Sequence, residues 1–183
     1  MQKNTDPVLC WIGLSSIPGV GRVTFRKLVK RFGSPERALA ASAEELTSVD
    51  GLSRKITDAI GTFAWREFAE REAAKAAESG VAIIILEDPA YPDSLRDTPD
   101  PPLFLYAKGE LRPEDKNAVA IVGTRKPTHY GKTVTHRLAG ELAASGFTVV
   151  SGLARGIDTQ AHRGALAVKG RTIAVLGCCI DVA

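Results

Sequence analysis

The chain has 183 residues, 44% of them hydrophobic, which is enough to bury one mid-sized core or two small ones and excludes a disordered chain. Its formal net charge of +3 is too small by itself to mark a polyanion binder, but the charge is unevenly spread. Residues 1–79 hold 12 basic and 10 acidic side chains, residues 80–116 hold 4 and 8, and residues 117–183 hold 8 and 3, so a polyanion belongs on the last segment.

The first six residues are polar and lead into no apolar run long enough for a secretory leader or a membrane span, which predicts a soluble cytoplasmic protein. Residues 8–78 read as a run of short helices. Apolar positions recur at helical spacing in Phe25, Leu28, Val29 and Phe32, and again in Ile56, Ile60 and Phe63. Gly33-Ser34-Pro35 ends one helix and opens the next, with Ser34 as N-cap and Pro35 at the first helical position. Ile17-Pro18-Gly19-Val20-Gly21 and Val49-Asp50-Gly51-Leu52, each followed by a helix, look like paired helix-hairpin-helix elements. Free N–H groups at such a turn can hold a phosphate. Equally, the glycines can serve only to let two helices approach, and the second hairpin lacks the Gly-x-Gly form.

From Gly80 the pattern changes. Val81-Ala82-Ile83-Ile84-Ile85-Leu86 suits a buried strand, and residues 88–102 form a Pro- and Asp-rich connector. The expected organisation is a helical domain over 1–79, a connector with a short strand over 80–116, and a second domain over 117–183. In the last segment, strands at 118–122, 148–151 and 172–176 alternate with helices at 130–145 and 158–169. Continuous apolar strands alternating with helices predict a Rossmann-like α/β domain whose parallel sheet is covered on both faces. The three cysteines, Cys10, Cys178 and the adjacent Cys179, give neither a disulfide framework nor a C-x-x-C metal spacing; buried small hydrophobes in a reducing compartment are expected.

In open α/β sheets ligands bind at the carboxyl ends of the strands. Three such ends here are glycine-rich: Gly123-Thr124-Arg125, Ser151-Gly152-Leu153-Ala154-Arg155-Gly156, and Gly177. Glycine lets backbone N–H groups approach an oxyanion, the following helix adds its positive N-terminal end, and Thr124 or Ser151 can donate a hydroxyl. Arg125 and Arg155 supply permanently charged forks suited to phosphate. The competing account is that glycines after parallel strands only turn the chain sharply. No G-x-G-x-x-G or G-x-x-x-x-G-K-[ST] spacing is present, so no nucleotide cofactor is expected. Asp158 and His162 share a helix face; His162 is a candidate base or ligand, or else Asp158 stiffens the loop while His162 packs. With no third partner assignable, neither a metal site nor a catalytic triad is expected.

Taken in order, these segments resemble the blocks of the DNA-processing protein A (DprA, also called Smf) family. The resemblance rests on Ile121-Val122-Gly123-Thr124-Arg125 with Tyr130-Gly131, on Ser151 to Asp158 with Ala161-His162, and on Thr172 to Gly177 with Asp181. Tyr91-Pro92, Pro101-Pro102 and Leu105-Tyr106-Ala107-Lys108-Gly109 resemble the family's connector, and residues 8–78 its sterile-alpha-motif-like domain. The resemblance implies a mediator of recombination, not an enzyme, that binds incoming single-stranded DNA in natural transformation, protects it and helps load the recombinase RecA. The implied phosphate-binding residues are Gly123, Thr124, Arg125, Lys126, Ser151, Gly152, Arg155, Gly156 and Gly177, supported by Tyr130, Asp158 and His162. Lys132, Arg137, Arg163, Lys169 and Arg171 are candidates to widen the groove. It also implies that the Rossmann-like domain is incomplete after 172–176, where Cys178-Cys179 stands for the more usual Cys-Gly, and that the homodimer interface lies in the part not represented. The alternative from another class is a phosphoribohydrolase acting on nucleoside monophosphates, whose P-G-G-x-G-T-x-x-E segment does not occur in these residues.

Overall fold

The computed structural model describes residues 6–180. Two compact units divide after Gly109. The first opens with six helices: α1 (Pro7–Ser16), α2 (Arg22–Phe32), α3 (Pro35–Ala40), α4 (Ala43–Thr47), α5 (Arg54–Thr62) and α6 (Trp65–Glu78). Local chemistry sets their ends. The Asp6 carboxylate accepts from Val8 N, the Ser34 hydroxyl from Arg37 N and the Ser53 hydroxyl from Ile56 N, while Ser42 and Glu45 form a reciprocal capping box. Gly33 stops α2 in a left-handed conformation that donates its N–H to Val29 O. The anticipated Ser34 cap and Pro35 start are thus observed.

Trp11, Leu14, Ile17, Phe25, Leu28, Leu46 and Ile60 form the core of this unit, the Trp11 and Phe25 rings lying 4.9 Å apart. Each such side chain contributes roughly 1.5–3 kcal/mol by leaving water. At the first glycine turn, a Cβ on Gly19 would lie 2.9 Å from Ile56 of the second hairpin; Gly19 therefore permits a close approach of the two hairpins.

An antiparallel hairpin of β1 (Val81–Ile85) and β2 (Phe104–Lys108) completes the unit, with the short α7 (Asp93–Arg96) in the intervening loop. The second strand was read from sequence as connector, and the expected boundary near residue 79 is not where the compact units part. A two-stranded hairpin is not stable alone, and Ile85 and Leu103 complete the core begun by the helices. The Pro-rich loop is also tied down: Asp100 bridges Arg22 and Arg26, and Arg26 donates to Pro101 O at 2.6 Å.

The second unit holds a parallel sheet ordered β3 (Ala118–Ala120), β4 (Thr148–Ser151), β5 (Thr172–Ala174), with crossover helices α8 (His129–Ala144) and α9 (Ile157–Ala167). A 3-10 turn (Pro113–Lys116) precedes β3. The two helices pack on each other and share the face on which Val149 meets Ala139, Ala143, Ala161 and Ala165. Among the described residues of this unit both crossover helices lie on one face of the sheet, whereas helices on both faces were expected. Strands added in one direction with same-handed crossovers put their helices on one side. The helices approach closely because Gly140 and Gly164 face each other; a Cβ on Gly164 would collide with the His136 carbonyl.

Candidate nucleic-acid interface

The carboxyl ends of β3 and β4 and the starts of α8 and α9 meet at one edge of the second unit. After β3 the chain runs through Gly123, where a Cβ would lie 2.7 Å from Ile157, and Thr124, whose hydroxyl accepts from Lys126 N at 3.1 Å. Thr128 then caps α8 by accepting from Gly131 N. After β4, Gly156 adopts φ 99°, a conformation that an L side chain resists, and packs against Thr124 and Arg125; the next amide, Ile157 N, donates to Thr124 O at 3.2 Å. The two loops are thereby locked together. Gly156 is also the N-cap of α9, and no side-chain cap occupies that helix end.

Between the loops lies an open cleft of about 260 Å³, lined by Arg125, Lys126, Lys132, Gly156, Thr159 and Gln160. Three of these side chains are cations and none is a carboxylate. Among the described residues, Arg125, Lys126, Lys132 and the nearby exposed Arg155 have no ion-pair partner, whereas Arg22, Arg26, Arg96, Arg112, Arg137 and Arg171 each have one. Unpaired cations around an uncapped helix N-terminus make a site suited to a polyanion.

The other anticipated residues divide by role. Ser151 is 2% exposed and its hydroxyl donates to Ile121 O at 2.7 Å, so it ties β4 to β3 and presents no donor to the cleft. Gly152 donates its N–H to Asp158 at 3.2 Å, and a Cβ there would lie 2.8 Å from the same carboxylate. Asp158 also accepts from Ala154 N, and Thr159 donates to Ala154 O, so the start of α9 holds the loop that precedes it. Asp158 thus takes the loop-stiffening role considered for it. His162 is 7% exposed and within 2.7 Å of the Thr172 hydroxyl; burial lowers its pKa despite the opposing charge of Asp158. It is part of the interior, not of the cleft. Gly177 follows β5 and has open space around it. Tyr130, at the start of α8, is 77% exposed.

Of the cations proposed to widen the groove, Lys132 lines the cleft. Arg137 pairs along its own helix with Glu141, and Arg163 and Lys169 are exposed outside the lining. Arg171 lies at the opposite, amino end of the sheet, where Asp115 binds it in two places and also accepts from Thr148. That pairing lowers Asp115 to about 2. The cysteines also divide: Cys10 is buried, which raises its thiol pKa, while Cys178 and Cys179 are exposed and not the buried hydrophobes expected. Sequence reasoning did not single out Thr159 and Gln160. They are the third and fourth residues of α9, so placing the helix start at Ile157 would have identified them as neighbours of any anion bound there.

These features define a class: a helix-hairpin-helix unit joined to a parallel α/β unit with a cationic strand edge. The chain belongs to the family described as DNA recombination-mediator protein A, whose model matches residues 82–183, and a helix-hairpin-helix motif matches residues 9–72. Protein Smf of Synechocystis sp. is 37% identical over 180 residues, covering 94% of this chain and 44% of that protein. DNA processing protein DprA of Bacillus subtilis is 43% identical over 100 residues, 54% of this chain and 34% of that protein. The X-ray structure of DprA from Streptococcus pneumoniae superposes with a TM-score of 0.55 at 28% identity, covering 90% of this chain and 60% of that one. The chain therefore spans less than half the length of these two curated relatives. No helix among the described residues is long and apolar enough to cross a membrane.

Proposed function

We propose that this chain binds single-stranded DNA as a recombination mediator acting in DNA processing during natural transformation. The observation that carries this reading is the set of four cations, Arg125, Lys126, Lys132 and Arg155, gathered without ion-pair partners around the start of α9, beside a cleft that no carboxylate lines. Phosphates bring charge without base information, so the binding is salt-sensitive and weak in sequence preference. Asp158 and His162 act structurally here, which favours binding over catalysis. Delivery of the strand to RecA, self-association and a cytoplasmic location belong to the same reading and rest on family membership alone.

The test is fluorescence anisotropy with labelled oligo-dT across a salt series, for the chain and for Arg125→Ala, with circular dichroism to verify folding. Three to four phosphate contacts give a slope of log K against log salt of about −2 to −3, and losing one flattens it by roughly 0.7. A slope near zero, or no loss in Arg125→Ala, would reject the cleft as the binding site. Loss on changing Gly19 and Gly21 instead would move the site to the helix-hairpin-helix unit.

A further inference from the structure

Leu153 is one of two non-glycine residues with positive φ among the described residues, at 57°, and its apolar side chain is 50% exposed. Both features are unfavourable for an isolated fold: the left-handed conformation strains an L residue, and the exposure leaves a leucine in water. Glycine or asparagine would suit that backbone better. The conformation is nonetheless enforced, because Asp158 accepts from the amides on either side, Gly152 N and Ala154 N, at 3.2 and 3.4 Å. Thr159 fixes the same loop through Ala154 O at 2.8 Å. The loop is built to hold Leu153 outward.

A second large side chain stands at the same edge. Tyr130 is 77% exposed beside Gly131, and a Cβ on Gly131 would lie 3.7 Å from Ile157, so the starts of α8 and α9 adjoin. Between the two loops lie the cations of the cleft. Leu153 stands two residues before Arg155 and Tyr130 two before Lys132, so both flank the cationic cleft without lining it, and strain held at an exposed apolar residue there suits a ligand that carries apolar surface next to its charge.

Resting on the single-strand reading above, we infer that Leu153 and Tyr130 are contact residues for unstacked nucleobases, which make the cleft select single strands over duplex. A duplex offers the same phosphates but keeps its base faces stacked within the helix, whereas a single strand can turn them onto aromatic and aliphatic side chains. Leu153 and Tyr130 thus supply selectivity, and the cations supply the salt dependence.

The experiment measures binding of three equal-length probes to the folded chain: oligo-dT, a strand of abasic sites with the same number of phosphates, and a duplex. Leu153→Asn keeps a residue that tolerates the left-handed backbone and removes the apolar surface, and Tyr130→Ala removes the ring; melting temperature checks folding. The chain is expected to prefer oligo-dT over the abasic strand, each variant to weaken oligo-dT binding about tenfold, and the salt slope to stay unchanged. Leu153→Asn is further expected to melt no lower than the parent. Equal binding of oligo-dT and the abasic strand, unaltered affinity in both variants, or a flattened salt slope would each overturn this inference while leaving the cationic site intact. Absence of oligo-dT binding by the parent chain would instead reject the proposed function, and this inference with it.

Discussion

The two ends of the parallel sheet treat their arginines in opposite ways. At the amino end Arg171 is held by Asp115 and by the Glu110 carbonyl, with the Thr148 hydroxyl and Arg112 N also bonded to the Asp115 carboxylate. At the carboxyl end Arg125 and Arg155 are exposed without ion partners. The same residue type therefore serves as a clamp in one place and remains available to an anion in the other. Eight basic side chains in the last segment do not make one groove, because their satisfaction, and not their number, decides which can bind.

The largest expected effect lies at the carboxyl end. Gly156→Ala places a methyl group against the Thr124 carbonyl in a backbone conformation hostile to alanine, and should cost about 3 kcal/mol in chemical denaturation while abolishing the cleft. If the variant is as stable as the parent and keeps its anion affinity, the locking of the two loops is not what shapes the site. Asp115→Asn probes the other end: Arg171 loses its anion, and stability should fall by about 2 kcal/mol with the salt slope of binding unchanged. The same pair predicts an acid limb. Asp115 is depressed from 3.8 to about 2, so its contribution is complete above the unfolded value and is lost as pH falls through the folded one. Denaturant melts at descending pH should show this limb in the parent and not in Asp115→Asn.

Much of this division could be read from the chain, though not all of it. The helix start at Ser34 and the alternation after residue 117 follow from capping chemistry and apolar periodicity, which act over a few residues. The partner of Arg171 could not be read, because Asp115 is 56 residues away and only the register of the sheet brings them together. Ser151 looked like a phosphate donor for a similar reason: its acceptor, Ile121 O, lies 30 residues away, just past the end of the neighbouring β3. The hairpin strand at Phe104–Lys108 was obscured by the Pro-rich approach to it, and its place in the helical unit depends on Ile85 and Leu103 filling a core built 40 or more residues earlier in α1 and α2.

The smallest predicted effect concerns the join between the two ends. The Thr172 hydroxyl lies 2.7 Å from both the Val149 carbonyl and His162 Nδ1. A hydroxyl has one hydrogen and the carbonyl can only accept, so Thr172 donates to Val149 and accepts from Nδ1–H. The His162 ring therefore carries a proton on Nδ1, and its Nε2 is buried without a partner among the described residues. Protonation would add a buried donor at Nε2 with nothing to receive it, which accords with the direction in which burial moves this group. A folded pKa below 6.5 means that the unfolded chain takes up the proton first, so stability complete above 6.5 declines as pH drops below it. Thr172→Val removes the acceptor and should cost about 1 kcal/mol at neutral pH. Nitrogen NMR of the His162 ring supplies the decisive check: a proton on Nε2 in the parent would mean that the hydroxyl donates to the imidazole, and β5 would then lose its side-chain bond to β4.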